Sequence, residues 1–242
     1  MNFKDFIITD RENRNSEKFE GTFLDYLEIV KQNPDVAKLS HKRLYDFIMS
    51  KGVEVLKADE NPRIRKIYGN ETIREYGYFK DDFFGIDKVI MKIVNYLHSA
   101  SMKGEESRQV LYLVGPVGAG KSSLVESLKS ALVHCEPIYS IKGCPMHEEP
   151  LHLVPNHLRD EFNKMLGAQI EGDLCPVCKY RLLHEFNGEY ENFPVERKGF
   201  SIRSRKGIGV VPPVDPNNQD TSILTGSIDI SKMDMYPEDD PR

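Results

Sequence analysis

No run of about 18 apolar residues occurs in this 242-residue chain, so no segment fits a membrane-spanning helix. The start, Met1-Asn2-Phe3-Lys4-Asp5-Phe6, lacks the basic stretch and apolar core of a secretory signal. These two absences point to the cytoplasm. Cysteine is scarce, with four residues, and in a chain without an export signal these are expected to be reduced thiols. A disulfide framework is therefore excluded. Positive charge is not in excess: 33 basic against 38 acidic residues give a net charge of -5. That balance argues against a general nucleic-acid coat, although it allows a local basic patch. No internal period repeats, which removes solenoid architectures. What is present is a globular composition, 39% apolar, 29% charged and 10% aromatic, enough for one large domain or two modest ones.

Apolar residues at helical spacing come first at Phe19, Phe23, Leu27 and Val30, with Leu24 alongside, and Pro34 ends that pattern. A second helix is expected from Ser40, read as its N-cap, through Leu44, Phe47 and Ile48 to a stop at Gly52. Residues 57–78 are charged and glycine-punctuated and read as loop. Val89, Ile90, Ile93, Val94 and Leu97 mark another helix. Val110-Leu111-Tyr112-Leu113-Val114 has the pattern of a strand buried on both faces. A helix follows with Leu124, Val125, Leu128, Leu132 and Val133, and then a strand at Pro137–Ile141. This strand–loop–helix–strand order predicts the start of a parallel α/β sheet.

The glycine-rich turn inside that unit, Gly115-Pro116-Val117-Gly118-Ala119-Gly120-Lys121-Ser122, fits G-x-x-x-x-G-K-[ST] at every fixed position. Phosphates carry dense negative charge and need many donors at close range. Glycines let a backbone wrap around them and turn its N–H groups inward, and a following helix adds its positive end. Lys121 is the candidate catalytic residue, reaching the β- and γ-phosphates of ATP. Ser122 would hold Mg²⁺ through its hydroxyl, and Ser123 would donate to the α-phosphate. Hydrolysis also needs an acidic strand end, and no apolar run closing on Asp and Glu follows; Ile228-Asp229 is the nearest fragment. With two clear strands, the sheet is smaller than a nucleotide-binding core, so the chain reads as the N-terminal part of a longer protein. Asp82-Phe83-Phe84-Gly85 and His157-Leu158-Arg159-Asp160 superficially match protein-kinase motifs, but their order and spacing do not.

Cys144-Pro145-Met146-His147 and Cys175-Pro176-Val177-Cys178 form two C-x-x-[CH] pairs. Two such knuckles give three thiolates and one imidazole, the number a tetrahedral structural Zn²⁺ needs. Unliganded reduced thiols, or a redox pair at Cys175 and Cys178, would produce the same sequence. Cys135 ends the helix after the glycine turn and reads as a small buried residue. Further on, Arg197, Lys198, Arg203, Arg205 and Lys206 cluster around Phe200 and Ile202. That stretch is either a loop that grips a polymer or nucleic acid, or a solvated loop balancing Glu238-Asp239-Asp240.

Four of these features together resemble one family. They are the Gly115–Ser123 loop, the preceding Phe84-Gly85-Ile86-Asp87, the Cys144–Pro150 segment and Ser204-Arg205-Lys206-Gly207-Ile208-Gly209. From about Phe19 to Arg242 the chain is similar to the PrkA family of bacterial serine protein kinases. The resemblance implies a P-loop AAA+ ATPase domain, with Asp82–Asp87 helping to enclose the adenine. It also implies a protein substrate, assembly of the full-length protein as a homo-oligomer, and a kinase region and Mg²⁺-binding acidic motif beyond Arg242. The expected layout is a helical segment over 1–60, a P-loop core over 61–142, a zinc-binding insert over 143–185 and a continuation of the ATPase domain over 186–242. Two other functions stay open: an AAA+ protein-remodelling ATPase or protease component, with 203–211 as a pore loop, and an ATP-regulated signalling module without turnover.

Overall fold

In a computed structural model the described residues are Phe3, 19–57, 62–203 and 207–211, without the side chains of Arg63 and Ile64. Strand β1 (Glu20–Thr22) runs directly into helix α1 (Phe23–Gln32), and a 3-10 turn covers Pro34–Ala37. Then come α2 (Ser40–Ser50), β2 (Val53–Leu56), α3 (Pro62–Tyr68), β3 (Ile73–Tyr76), α4 (Asp87–Ser101) and α5 (Lys121–Val133). The chain continues with β4 (Ile138–Ile141), α6 (Arg159–Leu166), α7 (Pro176–His184) and β5 (Pro194–Lys198). It divides into two compact units. One is Lys38–Cys135; the other joins Met1–Ala37 to Glu136–Arg242. These bounds fall at Ala37 and Cys135, not at the 60, 142 and 185 expected from composition.

The contiguous unit is a helical layer with a two-stranded sheet. α2, α4 and α5 bury Leu44, Ile48, Ile90, Ile93, Val94, Leu97, Leu124 and Ala131 in one cluster. Burying each large side chain contributes roughly 1.5–3 kcal/mol. α2 begins one residue earlier than a Ser40 cap requires: Leu39 holds the cap position without a side-chain bond, and Ser40 is already helical. Gly52 does end this helix region, at φ +89°, where a side chain would be strained. The stretch expected to be loop contains α3 and β3. β3 pairs antiparallel with β2, from Val53 opposite Tyr76 to Leu56 opposite Ile73. Ile73 and Tyr76, at the two ends of β3, are buried, and this burial of its apolar ends stabilises a strand that charge had disguised.

The expected strand at 110–114 is absent from the described sheets. No described strand pairs with this run, so its backbone has no ladder to join. Val110, Tyr112 and Val114 are 90, 83 and 80% exposed, and Leu113 packs part-buried on the helical cluster. In α5 only Leu124 and Ala131 are buried, while Val125 and Val133 stay largely exposed.

The discontinuous unit holds a three-stranded sheet of order β1-β5-β4. Both pairings are antiparallel: Gly21 and Ile141 flank Val195 on either side. The expected parallel sheet is therefore corrected. β4 exists, but it pairs with β5 and not with a strand before the glycine turn. α1 starts at Phe23 and leaves Phe19 outside, because Thr22 caps it. The Thr22 hydroxyl accepts the Asp25 N–H at 3.4 Å, and the Asp25 carboxylate accepts the Thr22 N–H at 2.7 Å. Those bonds hold the Asp25 carboxyl below its usual range. Phe23, Tyr26 and Val30 are fully buried on one face, with Ile141, Phe193 and Val195 of the sheet side. Tyr26 also donates to Glu149 at 2.5 Å.

Candidate functional site

The glycine turn of the contiguous unit is built for close backbone approach. Gly118 and Gly120 hold φ of +81° and +78°, a left-handed conformation that costs a side chain about 1–2 kcal/mol. Gly120 sits immediately before α5, whose first N–H groups receive no side-chain cap. A 13-residue helix thus offers its positive end beside an open loop. The Lys121 ammonium lies over this loop and donates to the carbonyls of Gly115 at 2.8 Å and Pro116 at 2.6 Å. Ser122 and Ser123 follow on the first turn and are exposed.

Beside the loop is a cavity of about 550 Å³. Its walls are Ile86, Val89 and Ile93 from the α4 side, Leu111 to Val114, and Leu124 of α5. Among the described residues, Lys92 and Lys121 are its charged lining residues and no carboxylate lines it. The site therefore has an apolar slot for a flat ring beside donors for an anion. Of Asp82–Asp87, expected to enclose such a ring, only Ile86 lines this cavity. Phe84, Gly85 and Asp87 border a separate space of about 330 Å³ with Tyr68. The Tyr68 hydroxyl bonds the Asp87 carboxylate, and burial together with that bond pushes its phenol up to about 12.

The discontinuous unit carries a second cluster. Cys144, Cys175, Cys178 and Glu148 are all buried, and one ligand atom from each lies within 4.8 Å of the others. His147, expected as the fourth ligand, is replaced there by Glu148. At φ +52° its backbone turns its ring away, and Nδ1 accepts from the Lys198 ammonium at 2.8 Å. The turn is closed by Ile141 N–H donating to the Glu148 carbonyl at 2.9 Å, which sets Glu148 opposite the cysteines. On the other side Cys175 caps α7, its sulfur accepting the Cys178 N–H at 3.3 Å. Burial pushes the Cys175 and Cys178 thiols up. None of the four cysteines is in a disulfide, and Cys135 lies outside the cluster, half-buried, as a small residue at the end of α5.

The basic stretch is split. Arg197 and Lys198 belong to β5, where Lys198 pairs with Glu196 at 2.9 Å. Arg203 is exposed, while Arg205, Lys206, Ile228-Asp229 and the acidic Glu238–Asp240 lie outside the described residues.

The family model for the PrkA AAA domain matches residues 21–242. The chain belongs to the PrkA AAA domain family. This PrkA AAA domain is 42% identical over 239 residues to the ATP-dependent protease PrkA of Bacillus subtilis (strain 168), covering 96% of the chain and 36% of that protein. It is 33% identical over 249 residues to the serine/threonine kinase YeaG of Escherichia coli (strain K12), covering 100% of the chain and 38% of that protein. A Lon protease of Methanosphaera stadtmanae is 34% identical over 114 residues, 47% of the chain and 13% of that protein. The PrkA AAA domain thus spans well under half the length of the curated relatives it matches, at 36% and 38% for the first two. No solved structure matches. Among the described residues, no helix is long and apolar enough to cross a membrane.

Proposed function

We propose that this PrkA AAA domain binds Mg-ATP through Gly115–Ser123 and is the ATP-binding module of a PrkA-type serine/threonine protein kinase. The observation that carries the reading is the Gly115–Gly120 turn entering α5 beside the apolar cavity, with the Lys121 ammonium laid over it. On binding, Lys121 exchanges the Gly115 and Pro116 carbonyls for the β- and γ-phosphates, and the α5 N-terminus faces the same charge. Ser122 is the hydroxyl ligand for Mg²⁺, which supplies charge neutralisation between phosphates, and Ser123 donates to the α-phosphate. Ile86, Val89 and Ile93 form the wall for the adenine. The protein substrate and the assembly of several copies belong to the full-length protein and to the same proposal.

A second reading, ATP-driven remodelling of proteins for degradation, is favoured by the Bacillus and Lon relatives, which are named as proteases. Full-length protein incubated with ATP labelled at the γ-phosphate separates them. Label on serine or threonine of a protein supports the kinase. Phosphate release that rises with unfolded polypeptide, without protein labelling, supports remodelling. Absence of ATP binding by the wild-type chain would remove both.

A further inference from the structure

We propose that Cys144, Glu148, Cys175 and Cys178 form a closed structural zinc site, a function separate from nucleotide binding. The four residues come from two turns of the discontinuous unit, and their ligand atoms lie within 4.8 Å of one another. The Cys144 and Cys175 sulfurs are 3.8 Å apart. A regular tetrahedron with Zn–S bonds of about 2.3 Å has S···S edges of about 3.8 Å. A disulfide would require about 2.05 Å. The spacing is that of two ligands on one ion.

Glu148 supplies the second, independent observation. Its side chain is 6% exposed. Oε1 is occupied, accepting the Cys175 N–H at 2.7 Å and facing His152 Nδ1 at 3.2 Å. Oε2 is buried with no hydrogen-bond partner. A buried carboxylate oxygen left unpaired among three thiols is costly, and a cation satisfies it.

The donor set selects the metal. Three thiolates favour a soft or borderline ion, and a carboxylate in the fourth place suits Zn²⁺ better than Cu⁺. As the ion binds, the three thiol protons leave to solvent. The loaded site carries two negative charges in excess. The Cys175 and Cys178 N–H groups, the His152 ring and the N-terminus of α7 stand against that charge. All four positions come from buried protein groups, so no coordination place is left for a substrate water. The site therefore orders structure and performs no chemistry.

Elemental analysis of the purified chain, prepared without chelator, is expected to give about one zinc per chain. Glu148→Ala and Cys178→Ser should lower that ratio several-fold after dialysis, while His147→Ala keeps it. X-ray absorption on the wild-type chain needs no variant to fold. It should show three sulfurs at about 2.3 Å and one oxygen at about 2.0–2.2 Å, without imidazole scattering. Well under one zinc per chain, iron in its place, or an imidazole in the first shell would each overturn the proposal.

Discussion

Replacing Lys121 by alanine isolates what the ammonium contributes. In the structure its two charged donors meet the Gly115 and Pro116 carbonyls at 2.8 and 2.6 Å on an exposed loop. The same donors are proposed to move to phosphate oxygens, so the fold loses little. Exposed contacts of this kind are worth about 1 kcal/mol or less to stability, which is roughly 2–4 °C in a chain of this size. Affinity should suffer more. A charge-assisted bond to phosphate contributes roughly 1.5–3 kcal/mol, so Lys121→Ala should weaken Mg-ATP binding about 10- to 150-fold. Titration calorimetry with the wild-type and variant chains reads the affinity, and thermal unfolding without nucleotide reads the stability. An affinity unchanged within about twofold would refute the phosphate role. A fall in Tm beyond about 10 °C without nucleotide would show instead that Lys121 holds the loop together.

Three further outcomes are expected. Among the described residues no carboxylate lines the cavity beside the loop, so the chain alone should turn over ATP well below about 1 s⁻¹, measured by phosphate release; a faster rate would reveal an acidic partner. Tyr68 has its phenol raised to about 12 from 10.0, so the unfolded chain loses this proton first as pH rises. Its contribution to stability is thus complete below pH 10.0 and is lost as pH climbs towards about 12; denaturant midpoints should fall more steeply in that window for wild type than for Tyr68→Phe. Phe193 is fully buried, 4.4 Å from the Phe186 ring centroid, so Phe193→Ala should destabilise its unit by roughly 3–5 kcal/mol, read by chemical denaturation.

Local signals in the sequence carried α1, α2, α4, α5 and the glycine turn, but not α3, which lies in a stretch read as loop, nor α6 and α7, for which no helix was expected. α4 repeats its apolar residues at Ile90, Ile93, Val94 and Leu97, and all four are buried. The boundary of α1 depended on one hydroxyl, Thr22, which outweighed the apolar Phe19 four residues before Phe23. Pairing is what periodicity could not supply. Val110–Val114 is apolar enough for a central strand, yet a strand is defined by its neighbour. Conversely β5 reads Pro194-Val195-Glu196-Arg197-Lys198, a charged segment that a helix or loop would suit, and it is the middle strand of its sheet. The cysteines of the second cluster were legible from spacing alone. Glu148 was not, because a C-x-x-H pattern directs the eye to His147. The missed signal was an acidic residue one position further on, in a turn whose closing bond from Ile141 fixes its direction.

The pairing of β1 with β5 bears on synthesis. Glu20 lies opposite Glu196, so the first strand leaves the ribosome about 175 residues ahead of its partner. At roughly 5–20 residues per second that interval is on the order of 10–35 s. Lys38–Cys135 is a contiguous stretch and has all its own contacts within that time. Phe23, Tyr26 and Val30 do not, because Ile141, Phe193 and Val195, which cover them, are translated later. During elongation the α1 segment is a nascent apolar helix face awaiting its sheet, the kind of surface that a ribosome-associated chaperone covers.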